Sequence, residues 1–319
     1  MSKLPNLEII LCAPRGFCAG VDRAVQIVEL ALKKYGAPVY VRHEIVHNKY
    51  VVDGLKNKGA IFVEELDEIE DTQAPVIFSA HGVAKSVFLE AKKFNMFYLD
   101  ATCPLVSKVH LEAQRLHLQN YEIILIGHKG HPEVEGTMGQ LPNGAISLVT
   151  NSFDAENIVV KNPDRVAYVT QTTLSLDDTA MIIDTLKKRF KNLKEQKKQD
   201  ICYATTNRQE AVKQVAPNVD AMIVVGAPNS SNSMRLVEVA ERAGCKKSIL
   251  IQRATDINWH DFTNIKTIGI SAGASAPETL VDEIIISFKL RYNISVSTQK
   301  FADENISFNL PKELREQAK

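Results

Sequence analysis

Residues 96–116 read MFYLDATCPLVSKVHLEAQRL: a short apolar strand pattern ends in a polar turn, and a cysteine stands where an amphipathic helical pattern begins. Proline directly after Cys103 suits the first turn of a helix, where its missing N–H would have had no partner. The arrangement occurs twice more. Residues 9–32, IILCAPRGFCAGVDRAVQIVELAL, place Cys18 before a helical pattern, and residues 200–215, DICYATTNRQEAVKQV, do the same for Cys202. Cys103 follows Cys18 by 85 positions and Cys202 follows Cys103 by 99, room for a small α/β unit each time.

Outward from each cysteine the pattern continues alike. The next apolar strands end in polar loops: APVYVRHEIVHN (37–48), YEIILIGHKGHPEVEGT (121–137) and AMIVVGAPNSSNS (221–233). Later strands do the same in PVIFSAHGVAKS (75–86), RVAYVTQTTLSLDDT (165–179) and TIGISAGASAPETL (267–280). Such alternation predicts an α/β protein with mainly parallel sheets and helices on their faces. His47, His131 and Ser230 lie 29, 28 and 28 residues after their cysteines; His81, Thr172 and Ser275 form a looser set at 63, 69 and 73. In parallel sheets ligands gather beyond the carboxyl ends of strands, where all these residues fall. A pseudo-threefold repeat of three small units would aim them at one centre. The expected units are 14–97, 98–194 and 195–319, the last joined by the opening strand 1–13 and carrying the C-terminal tail.

Composition narrows the function. Of 319 residues 45% are apolar and 24% charged, with formal net charge zero, so no global charge draws nucleic acid or an anionic membrane surface. No apolar run is long enough to span a bilayer, and the N-terminus MSKLPNLEIILCAPRG lacks a signal-peptide core, which places the expected location in the cytoplasm. Five cysteines with no CxxC pair argue against a disulfide framework and for metal binding or catalysis. Cys12 interrupts an apolar strand and Cys245 lies in AGCKKSILI, so both read as core filling.

Three thiolates at helix starts can hold a zinc ion or three irons of a [4Fe–4S] cluster, the latter leaving one iron open as a Lewis acid. Long, even spacing favours a cluster between units. Imidazoles of His47, His81 and His131, with Thr172, Ser230, Ser231, Asn232 and Ser275, suit a compact polyanion such as diphosphate. No GxxxxGK[ST] loop is present, so this is not P-loop nucleotide binding. Glu133, two residues after His131, is a candidate proton donor, as is Glu135. His43, His110, His117, His128 and His260 lack matched positions and read as surface or packing residues.

The strings CAPRGFCAGVDRA (12–24), EIVHN (44–48), FSAHGV (78–83), DATCPLV (100–106), GHPEVEGT (130–137), TQTTLS (170–175), CYATTNRQ (202–209), GAPNSSNS (226–233) and AGASAPE (272–278) resemble, in order, those of the 4-hydroxy-3-methylbut-2-enyl diphosphate reductases. NISFNLPKELR (305–315) is similar too. The resemblance implies a trefoil of three α/β domains around one [4Fe–4S] cluster held by Cys18, Cys103 and Cys202, with one open iron. It implies that His47, His81, His131, Ser230, Ser231, Asn232 and Ser275 grip the substrate diphosphate. The substrate hydroxyl would bind the open iron near Glu133 and Thr172, with Thr173 the neighbouring choice. Two electrons and two protons would then remove that hydroxyl as water and give isopentenyl or dimethylallyl diphosphate, the last step of the methylerythritol phosphate route. The implied electron donor is a flavodoxin or ferredoxin, and the basic run KKRFKNLKEQKKQD (187–200) is a candidate docking patch; no nucleic-acid or membrane partner is expected.

Two other readings compete. A quinolinate synthase-like dehydratase also uses three cysteines and a pseudo-threefold fold, but it needs arginine clamps for carboxylates, and histidines and hydroxyls dominate the strand ends here. A non-catalytic, zinc-stabilised α/β binding protein, a reading of a different class, would be colourless where an iron–sulfur protein is brown.

Overall fold

The computed structural model describes residues 4–71, 73–196 and 199–315. In chain order the strands and helices are β1 (Asn6–Ala13), α1 (Ala19–Tyr35), β2 (Val39–Arg42), α2 (Lys49–Asn57), β3 (Ala60–Val63), β4 (Val76–Phe78), α3 (Lys85–Lys93) and β5 (Tyr98–Asp100). There follow α4 (Pro104–Leu118), β6 (Glu122–Ile126), α5 (Pro132–Met138), β7 (Ile146–Val149), α6 (Ser152–Asn157), β8 (Val166–Thr170) and α7 (Leu176–Arg189). The last are α8 (Tyr203–Val215), β9 (Ala221–Val225), α9 (Ser231–Arg242), β10 (Ser248–Ile251), β11 (Thr267–Ala272), α10 (Glu278–Lys289) and β12 (Asn293–Lys300). The chain divides into two compact units. One takes in the chain up to Cys18, His47–Val51 and Tyr203–Ile306; the other takes in Ala19–Val46, Val52–Cys202 and the chain from Ser307.

The first unit is built on a five-stranded sheet in the order β10-β9-β11-β1-β12, parallel throughout. Central strands of a parallel sheet are covered on both faces, which is why β9, AMIVV, is apolar without alternation and wholly buried. One face packs Ile9, Ile223 and Ile270 against Phe262 and Phe288, whose rings meet edge to face at 5.0 Å. The other face packs Cys12, Met222, Val224, Leu236 and Cys245. Cys12 and Cys245 therefore fill core, and burial pushes the Cys12 thiol up to about 12, far from a metal-binding thiolate. β12, NISVSTQK, pairs with β1 and is mostly exposed, as its polar sequence requires of an edge strand.

The second unit holds two parallel sheets, β3-β2-β4-β5 and β7-β6-β8. β8, VAYVT, is buried along its length, and Ile123 to Ile126 of β6 are too. The buried Gln140 amide donates to the carbonyls of Val83 and Gly136, both at 2.8 Å, tying the loop beyond β4 to α5.

The predicted repeat appears as strand order. The runs β3-β2-β4, β7-β6-β8 and β10-β9-β11 each set at the centre the strand that follows a cysteine's helix. The three small parallel sheets are the ones the alternating patterns call for.

Candidate functional site

Each of the three repeated cysteines is tied to the equivalent place in a different sheet. The Cys103 N–H donates to the carbonyl of Ala80 at 3.0 Å, Cys202 to Thr172 at 3.0 Å and Cys18 to Ala274 at 3.2 Å. The accepting residue lies two positions past the end of β4, β8 and β11 in turn. None of the three cysteines is in a disulfide, all are half-buried, and a helix begins at the next residue of each: α1 after Cys18, α4 after Cys103, α8 after Cys202. Cys103 is the N-cap of α4, with Pro104 in its first turn. Cys18 falls in the first unit and Cys103 and Cys202 in the second.

The polar residues follow the same register. His47, His131 and Ser230 stand five residues past β2, β6 and β9, which accounts for their even spacing from the cysteines. His131 and Ser230 cap α5 and α9, and Ser230 Oγ accepts the Ser233 N–H. His131 Nδ1 accepts the Glu133 N–H at 3.1 Å, so while that bond is held the ring proton sits on Nε2. Three residues past β4, β8 and β11 stand His81, Thr173 and Ser275. Thr173 is thus the register mate of His81 and Ser275, whereas Thr172 is the mate of Ala80 and Ala274.

Within the first unit Ser275 Oγ donates to the His47 carbonyl at 2.9 Å, and Asn229 Nδ2 lies 3.4 Å from His47 Nδ1. The buried Asn232 uses Oδ1 to accept the Ala274 N–H at 3.3 Å, and its Nδ2 has no acceptor among the described residues. Gly226 and Gly273 allow this crowding: a Cβ would come within 2.1 and 2.0 Å of Ser233 Oγ. Within the second unit the His81 and His131 rings meet edge to face at 5.7 Å.

Glu133 is the chemically distinctive group. It is buried, its Oε1 accepts the Thr172 N–H at 2.6 Å, and its Oε2 lies 3.1 Å from Thr172 Oγ1, which donates to it. Burial pushes its pKa up to about 7; the Thr172 bonds pull the other way and the charge of Asp200 adds to the rise. Asp200 is itself buried and shifted upward, chiefly by burial, while accepting the Thr170 N–H at 3.0 Å and facing Lys108 at 3.4 Å. His110, on α4, is pushed down to about 4 by burial and stays neutral, a packing residue as expected. Glu135, equal to Glu133 on sequence grounds, is exposed.

Sequence reading passed over Gln171, Asp200 and Arg208. Gln171 accepts the His128 N–H at 3.0 Å and donates to Thr173 Oγ1 at 2.9 Å. The signal for all three was position: each lies within six residues of a residue already singled out.

The pattern for LytB protein matches residues 9–289. The chain belongs to the LytB family. It is 63% identical over 319 residues, all of this chain and 99% of its relative, to 4-hydroxy-3-methylbut-2-enyl diphosphate reductase 1 of Bradyrhizobium diazoefficiens. It is 60% identical over 318 residues, the full length of both, to the 4-hydroxy-3-methylbut-2-enyl diphosphate reductase of Beijerinckia indica. Among solved structures, the E-1-hydroxy-2-methyl-but-2-enyl-4-diphosphate reductase of Plasmodium falciparum matches with a TM-score of 0.93 at 38% identity, covering 97% of each chain. A second, titled (E)-4-hydroxy-3-methyl-but-2-enyl diphosphate reductase, the terminal enzyme of the non-mevalonate pathway, matches with a TM-score of 0.64 at 34% identity. That match covers 89% of this chain and 99% of the other. The LytB fold is therefore shared over essentially the whole chain. No helix among its described residues is long and apolar enough to cross a membrane.

Proposed function

We propose that the chain reductively removes the hydroxyl of (E)-4-hydroxy-3-methylbut-2-enyl diphosphate, giving isopentenyl diphosphate or dimethylallyl diphosphate and water. Two electrons and two protons balance the reaction: one proton leaves with the hydroxyl as water and the other is placed on carbon at either end of the allyl unit. The observation that carries this reading is the Glu133–Thr172 pair, a buried acid poised near neutrality with a hydroxyl hydrogen-bonded to it.

The donor set suits a [4Fe–4S] cluster. Cys18, Cys103 and Cys202 are half-buried thiols at helix starts and outside any disulfide, while Cys12 and Cys245 are buried in apolar core. Such a cluster takes each thiolate on a different iron and does not need the tight knot of ligands a single zinc ion requires. No such knot of three His, Cys, Asp or Glu occurs among the described residues. When bound, the cluster supplies electrons singly and, through an iron without a protein ligand, a Lewis acid for the hydroxyl. In this reading the partition 14–97, 98–194 and 195–319 with 1–13 assigns one ligand-bearing repeat to each unit.

His47, His81, His131, Ser230, Ser231, Asn232 and Ser275 hold the diphosphate. The buried Nδ2 of Asn232 is a donor in need of an acceptor, and a phosphate oxygen is one. His131, with its proton on Nε2, offers another donor. Glu133 in its protonated form reverses its bond to Thr172, donating to Oγ1 and freeing the threonine proton to move on to the leaving hydroxyl. With its pKa raised to about 7, both the protonated and the ionised forms are populated near neutral pH.

Electrons come from a small acidic carrier of the flavodoxin or ferredoxin class. Within 187–200, Lys187 pairs with Glu195 at 3.0 Å and Arg189 Nη2 donates to the Ile158 carbonyl at 2.8 Å. Lys188 and Lys191 are exposed for docking; Lys197 and Lys198 lie outside the described residues.

Anaerobically reconstituted chain, assayed with the diphosphate substrate and an artificial reductant, should be brown, carry about four irons and form both products. Iron-loaded protein without turnover would defeat the reaction assignment.

A further inference from the structure

Arg208 lies on α8, six residues past Cys202, and its side chain has no exposure to solvent. A guanidinium cannot shed its charge, so full burial demands a counter-ion and an acceptor for each of its N–H groups. The chain supplies them from the same helix and from two distant stretches. Nε and Nη2 donate to the Gly16 carbonyl at 3.1 and 2.8 Å, and Nη2 reaches the Phe17 carbonyl at 3.4 Å. Nη1 donates to the Ala204 carbonyl at 2.9 Å. The counter-ion comes from the tail: Glu304 meets Nη1 at 2.9 Å and Nη2 at 3.2 Å, and Asn207 Nδ2 also donates to it at 3.1 Å. Glu304 is itself only 14% exposed.

The two carbonyls grasped by Arg208 belong to the residues directly before Cys18. The opposite side of that turn is pinned by the Gly16 N–H to Ala272 at 3.0 Å and the Cys18 N–H to Ala274 at 3.2 Å. Gly16 is held at φ +69°, open to glycine at no strain, and a Cβ there would approach the Ala276 carbonyl to 3.1 Å. The turn is thus fixed on one side by backbone and on the other by the Arg208 side chain, with Arg15 bonded to the Cys12 carbonyl and Glu278 at its start.

We infer that Arg208 is a positioning residue for the Cys18 thiol and that Glu304, from the C-terminal segment, is the latch that keeps it in place. The inference rests on the reading of Cys18 as a cluster ligand. It gives the tail beyond β12 a role in cluster retention: with Glu304 removed, Arg208 is an uncompensated buried charge and is drawn toward solvent, releasing the Gly16 and Phe17 carbonyls.

The test uses the full-length chain with Glu304→Ala, and Glu304→Gln as a milder variant that keeps an acceptor. Metal-free protein under reducing, anaerobic conditions is pulsed with iodoacetamide, and alkylation of Cys18 and Cys103 is followed by peptide mass spectrometry. Loss of the Glu304–Arg208 ion pair should raise Cys18 labelling relative to Cys103 about tenfold in Glu304→Ala, and less in Glu304→Gln. In reconstituted protein the same variants should release iron to a chelator faster, in the same order. An unchanged Cys18 to Cys103 ratio, an equal rise at both cysteines, or wild-type iron release would each overturn the inference. A Cys18→Ser chain that still binds its full iron would instead overturn the reading of Cys18 as a ligand, whatever the labelling shows.

Discussion

Replacing Glu133 with glutamine separates the two consequences of burying this carboxyl. Glutamine keeps the shape; its oxygen can accept the Thr172 N–H and its amide can donate to Thr172 Oγ1, but it carries no titratable proton. In the wild type the folded pKa is raised from 4.5 to about 7, so the folded chain binds the proton more tightly than the unfolded one. Stability from this group is therefore full below about pH 4.5 and is lost as pH rises toward about pH 7, the whole loss being about 3 kcal/mol at 1.36 kcal/mol per unit. Between about pH 5 and pH 8 the linkage relation gives a loss of about 2–3 kcal/mol for the wild type and none for the variant. Urea unfolding of the metal-free full-length chain at both pH values, under reductant, measures it. The contributions of other groups largely cancel between the two proteins. Glu133→Gln should thus be the more stable protein at the higher pH and the poorer catalyst, with turnover down by ~10²–10⁴-fold from lost proton delivery. An equal pH dependence of unfolding in both proteins would refute the perturbed carboxyl, and near-normal turnover in the variant would refute its role as the acid.

Other expectations follow from named contacts. Cys103→Ser should abolish iron incorporation, whereas Cys12→Ala, in the apolar core, should keep the iron and lose about 1–3 kcal/mol of stability; iron analysis and denaturant melts decide both. Asn232→Ala removes the buried Nδ2 donor and should weaken inorganic diphosphate binding about tenfold by calorimetry, with unchanged affinity counting against the anion site. Reversing the charges of Lys188 and Lys191 should slow carrier-driven turnover at low salt and leave dithionite-driven turnover intact; equal effects on the two would remove the docking patch.

Local patterns carried a great deal of this architecture. Strand ends, helix starts and their even spacing are short-range features, so the α/β class, the three parallel sheets and the shared register of His47, His131 and Ser230 could be read directly. The choice between Thr172 and Thr173 could not. One is defined by the strand register and the other by a carboxyl 39 positions away in Glu133, and only folding separates the two roles. Burial is equally invisible to periodicity. Asp200 sits in a polar, lysine-rich stretch that looks solvated, yet its carboxyl is enclosed and holds the Thr170 N–H. Arg208 and Gly16 are 192 positions apart, so nothing local announces that one holds the other.

The placing of β1 has a consequence for synthesis. This strand precedes all the other described strands, yet both of its neighbours, β11 and β12, lie beyond residue 266. During synthesis β1 stays unpaired, along with the turn bearing Cys18, until more than 250 further residues have been made. The five-stranded sheet cannot close around β1 until β11 has formed, and a chain cut before Thr267 would leave this apolar strand without either neighbour for quality control to find.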